Sequence, residues 1–78
     1  MIGNLVRLGK GEIAVVTAEH PTDPFRPQVK IIVNGSGETL EEPLLANTWE
    51  RDSNGEHPYA VVEAVDPDAT DIDPLKYL

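Results

Sequence analysis

The sequence predicts a mainly β domain, and three observations carry that prediction. Residues 12–19 and 28–33 are rich in β-branched side chains that alternate between two faces. Glycine and proline break the chain at short intervals around them. The strongest periodicity anywhere in the 78 residues is that of a strand.

The elements follow in order. Residues 5–8 are apolar apart from Arg7, and Gly9-Lys10-Gly11 ends them as a turn. Residues 12–19 place Ile13, Val15 and Thr17 on one face and Ala14, Val16 and Ala18 on the other. Pro21, Pro24 and Pro27 then forbid a helix or a central strand, so residues 20–27 form a loop, with Phe25 expected to pack inward. Residues 28–33 alternate Val29, Ile31 and Val33 against Gln28, Lys30 and Ile32. One apolar and one mixed face suit a sheet with one side on a core. Asn34-Gly35 accepts the positive backbone angles of a hairpin turn, and Thr39-Leu40 starts a return strand that Glu41-Glu42-Pro43 interrupts. Residues 44–49 suit either a strand or one helical turn. Residues 51–58 are polar, contain a second Asn-Gly, and read as a long exposed loop; residues 59–65 are the last strand. Asp66-Pro67 and Asp73-Pro74 each set a capping residue before a proline, the start of a single helical turn.

About five short strands at this spacing predict a small SH3-like barrel or a partly open antiparallel sheet, with short helical turns near the C-terminus. The chain is one domain, with residues 1–65 as the barrel and 66–78 as a tail whose Ile72, Leu75, Tyr77 and Leu78 need cover. A core this small supplies only ~3–5 kcal/mol of net stability. With no cysteine, neither a disulfide nor a thiolate zinc cage supports it.

Charge narrows the function. Fourteen acidic residues against 6 basic ones give a net charge of -8, and the basic residues form no run. Nucleic-acid binding, which rests on counterion release by Lys and Arg, is not expected. No positively charged N-terminus precedes an apolar run, and no stretch approaches the ~18 apolar residues of a membrane span. A cytoplasmic location without membrane contact is expected.

Chemical motifs fail on context. Gly9 to Ala14 matches G-x-G-x-x-A, but a strand follows where a dinucleotide site needs a helix. Asp66, Asp68 and Thr70 have the first spacings of a calcium loop, yet Asp71 and Tyr77 stand where that loop needs Gly and Glu. His20 and His57 each precede a proline and have no spaced partner; Ser36 and Ser53 lie in turns without a local base. Asn34-Gly35-Ser36 matches the glycosylation pattern without a secretory signal. No catalytic, metal or cofactor-binding residue is assigned. Trp49, Tyr77 and Leu78 are the candidates for a partner-facing surface, because aromatics anchor interfaces.

Longer phrases carry a resemblance. Leu5-Val6-Arg7-Leu8 with Gly11 to Val16, Pro24-Phe25-Arg26-Pro27 before Val29 to Ile32, Leu40 to Pro43, and Ile72 to Leu78 resemble the stretch that follows the catalytic domain in HD-GYP proteins. Asp71 departs from it, standing where a glycine is often found before Ile72. HD-GYP proteins are metal-dependent phosphodiesterases of bacterial cyclic diguanylate signalling, with paired metals held by His and Asp. This chain has no His-Asp dipeptide and no Gly-Tyr-Pro, so none of the family's catalytic residues carries over. The resemblance implies a non-catalytic C-terminal accessory or regulatory domain, whose partner is the preceding catalytic domain or another protein. The alternative is a stand-alone adaptor that captures a protein or peptide at a sheet edge or near Trp49.

Overall fold

The computed structural model describes residues 2–23 and 26–77; Phe25 and Leu78 lie outside the described residues. Five strands form: β1 (Leu5–Leu8), β2 (Ile13–Ala18), β3 (Gln28–Val33), β4 (Thr39–Asn47) and β5 (Val61–Val65). A four-residue helix, α1 (Pro67–Thr70), and a 3-10 turn (Pro74–Tyr77) follow. The strands make one antiparallel sheet in the order β4-β3-β2-β1-β5. Of the two architectures expected, the open sheet is the one formed. β1 to β4 are a simple meander, and β5 joins from the far end of the chain.

This topology decides how the core is covered. β4 and β5 are opposite edges, so the connection between them crosses one face of the sheet. Tyr59 lies there with Leu40 and Val61, over Val6, Leu8, Ala14, Val16, Val29, Ile31 and Ala46. The chain then returns across the other face, where Ile72 and Tyr77 pack on Leu5, Ile13, Val15 and Ile32. Lys30 pins the return by donating from Nζ to the Tyr77 carbonyl oxygen at 2.7 Å. Ile72 and Tyr77 of the tail thus pack on the chain's own sheet, while Leu75 stays exposed. β2 is buried on both sides at Ile13 to Val16, which is why both of its alternating sets are apolar. Each such Val, Leu or Ile contributes about 1.5–3 kcal/mol when fully removed from water.

Three turns share one backbone pattern. Leu8, Asn34 and Asp52 each donate an N–H to a glutamate carbonyl four residues on (Glu12, Glu38, Glu56) at 2.8, 2.9 and 2.8 Å. Each also accepts from the N–H of the intervening glycine (Gly11, Gly37, Gly55) at 3.0 Å. Those glycines have φ of 88, 86 and 80°, the left-handed region that L side chains avoid. The positive angle expected at Asn34-Gly35 therefore falls on Gly37, because a three-residue loop needs it at its third position. Asn34 contributes its side chain instead: Oδ1 accepts from the Ser36 and Glu38 N–H groups at 2.9 and 3.0 Å. Gly35 is required for a different reason. A Cβ there would lie 2.7 Å from the Lys10 carbonyl oxygen, so one turn packs directly on the other.

Two expectations for strands are corrected. Glu41-Glu42-Pro43 does not interrupt β4, which runs through them to Asn47 and then turns at Thr48-Trp49. Thr39 pairs with Val33 and Leu44 with Ile31, so residues 40–43 stand opposite Ile32 alone and bulge from the ladder. A proline in such a bulge has no ladder bond to lose. β5 begins at Val61 rather than Tyr59, since its first partner is Leu8, the last residue of β1. Both proline-started turns form: Asp66 Oδ1 accepts from Asp68 N–H at 2.9 Å, and Asp73 Oδ1 from Leu75 N–H at 3.1 Å. α1 closes at Asp71 with φ 56 and ψ 33°, the conformation a C-terminal glycine cap adopts.

Candidate docking surfaces

At one end of the sheet the β2–β3 loop meets the β4–β5 connection, and several side chains hold them together. Buried Thr48 donates from Oγ1 to the Pro27 carbonyl oxygen at 2.7 Å. The Trp49 ring meets the His20 ring edge-on, with centroids 4.7 Å apart. The Arg26 guanidinium donates to His57 Nε2 and pairs with Asp23 at 3.3 Å. A pocket of about 180 Å³ opens beside them, lined by Arg26, Thr48, His57, Ala60 and Val61.

Both histidines serve this junction. His20 Nδ1 accepts from the Thr22 and Asp23 backbone N–H groups, each at 3.1 Å, and so caps its turn. His57 accepts at Nε2 from Arg26, which leaves Nδ1 to donate to the Glu50 carbonyl oxygen at 3.1 Å. These bonds engage both ring nitrogens of His57 and Nδ1 of His20. Ser36 and Ser53 are exposed in their turns. Among the described residues, no group of three His, Cys, Asp or Glu side chains is placed to hold a metal ion.

The structure separates the residues singled out as partner-facing. Trp49 is half-buried at the loop junction against His20. Tyr77 is half-buried on the second core cluster, beneath the tail. Leu78 lies outside the described residues. The basic side chains also go separate ways: Arg7 pairs with Glu63 on β5 at 2.9 Å, Arg26 with Asp23, and Lys30 with the Tyr77 carbonyl.

Sequence reasoning missed a second surface, the outer edge of β4. Residues 41–45 are exposed without a break. Leu44 and Leu45 are 53% and 56% exposed despite lying within a strand. The sequence signal was the acidic pair and Pro43 ahead of two leucines. Only the pairing register shows that this pattern marks a bulge followed by a bare edge.

Among the described residues, no helix is long and apolar enough to cross a membrane. No curated protein and no solved structure matches the chain. A family model does match: the KOW domain associated with HD domain, over residues 5–70. The match starts at the first residue of β1 and ends at the last of α1, so it spans every strand of the sheet. The chain belongs to the family of KOW domains associated with HD domains.

Proposed function

We propose that this chain is the non-catalytic accessory domain of an HD-GYP-type metal-dependent phosphohydrolase, acting in the cytoplasm on cyclic diguanylate signalling. It packs beside the catalytic domain or regulates it. The observation that carries this reading is the family match over residues 5–70, to a domain type defined by its association with HD domains. The phrases at residues 5–16, 24–32, 40–43 and 72–78, which resemble the segment after an HD-GYP catalytic domain, supply the narrower assignment. The committed histidine nitrogens of the loop junction fit a supporting role. Catalysis would reside in the HD partner, whose metals activate water.

The test begins with the source genome. An HD domain carrying His-Asp and Gly-Tyr-Pro, encoded in frame with this chain or beside it, is expected. That HD protein is then assayed for cyclic diguanylate hydrolysis with and without this domain. A change in kcat or KM on removing the domain, with bound metal retained, supports the proposal. Absence of a neighbouring HD domain, or unchanged kinetics and stability, overturns it.

A further inference from the structure

The outer edge of β4 is one of the two edges of the sheet, and the one that carries two exposed leucines. Among the described residues, β4 ends the strand order and pairs only with β3, so the backbone N–H and C=O groups along its other side have no described strand neighbour. Its regular part runs from Leu44 to Asn47, opposite Ile31 to Gln28. Leu44 shares the face of Ile31, and Leu45 shares the face of Lys30. An incoming strand would therefore pass a leucine on each side of the sheet. Charge, proline and a bulge blunt this edge at residues 41–43 but not along Leu44 to Asn47. Here two large apolar side chains remain more than half exposed at the bare edge.

The charge around this edge selects the occupant. Glu41 and Glu42 are exposed in the adjoining bulge, and the whole chain carries -8. A second copy would bring two such acidic edges together. A lysine- or arginine-bearing strand would meet opposite charge there. We propose that β4 accepts, by strand addition, an extended basic segment of the HD-domain protein. This rests on the accessory-domain reading and adds where and what the domain binds.

The test compares the wild-type chain with Leu45→Lys and Val62→Lys, each binding the HD protein encoded with it. Val62 is an equally exposed residue of the opposite edge, 63% exposed on β5. Circular dichroism checks that each variant is folded. Wild type is expected to bind, more weakly as salt rises, and to slow amide exchange at Leu44 to Asn47. Leu45→Lys is expected to weaken binding about tenfold or more, and Val62→Lys to leave it nearly unchanged. Binding that Val62→Lys impairs as much as Leu45→Lys, or protection elsewhere, overturns the β4 site and leaves the accessory role standing. A dimer of the chain that Leu45→Lys disperses assigns the edge to a second copy and overturns the proposal. No binding by the wild type removes the accessory reading and this site together.

Discussion

At Gly35 and Asp71 the backbone dictates the side chain in opposite senses. Gly35 lacks the left-handed conformation that usually justifies glycine, yet its missing Cβ lets the β3–β4 turn rest on the Lys10 carbonyl. Gly35→Ala puts a methyl group 2.7 Å from a backbone oxygen, which neither turn can yield cheaply. Thermal or urea unfolding is expected to show a loss of about 1–3 kcal/mol. Ser36→Ala, one residue on and exposed, serves as the control and changes little. Asp71 holds the left-handed cap that glycine occupies without strain. Asp71→Gly is therefore expected to raise stability by a few tenths to about 1 kcal/mol, and Asp71→Val to lower it. The family resemblance places a glycine before Ile72 where this chain has Asp71, and φ at this position supplies the reason.

The elements differ in how plainly the sequence announces them. β2 and β3 are legible because unbroken runs of Val and Ile can do little else between turn-forming residues. The two proline-started turns are legible because Asp-Pro encodes its own cap. β4 is not, because its pattern depends on residues 40–43 standing opposite Ile32, a fact of register rather than of composition. The exposure of Leu44 and Leu45 was hidden for the same reason: leucine predicts burial until the strand is known to be an edge. The destination of the tail was equally hidden, since nothing local says that Tyr77 returns to β3. The Lys30 bond to the Tyr77 carbonyl now makes that docking testable. Lys30→Met keeps the aliphatic stem and removes the donor. It is expected to cost about 1–2 kcal/mol and to speed amide exchange at Ile72 and Lys76 more than at β2.

At the scale of the whole molecule, a single sheet is wrapped by its own chain, once on each face, and both wrappings depend on β5 reaching the far edge. This arrangement separates the strands by the distance along the chain that their pairing must close. β1 to β4 pair through neighbours in sequence, three-residue loops closing two of the hairpins. β5 has to bring Val61 to Leu8 and Val65 to Leu5, a closure whose entropy is compensated only once the meander offers a template. Folding is therefore expected to proceed through a rate-limiting state in which the meander is largely paired and β5 is still loose. Val65→Ala should accelerate unfolding and scarcely alter the refolding rate, whereas Val29→Ala, in the middle of the meander, should slow refolding. Stopped-flow chevrons that follow the fluorescence of Trp49 distinguish the two. A late-arriving β5 also means that the two wrappings lock together: until the last strand is seated, neither face of the sheet has its cover.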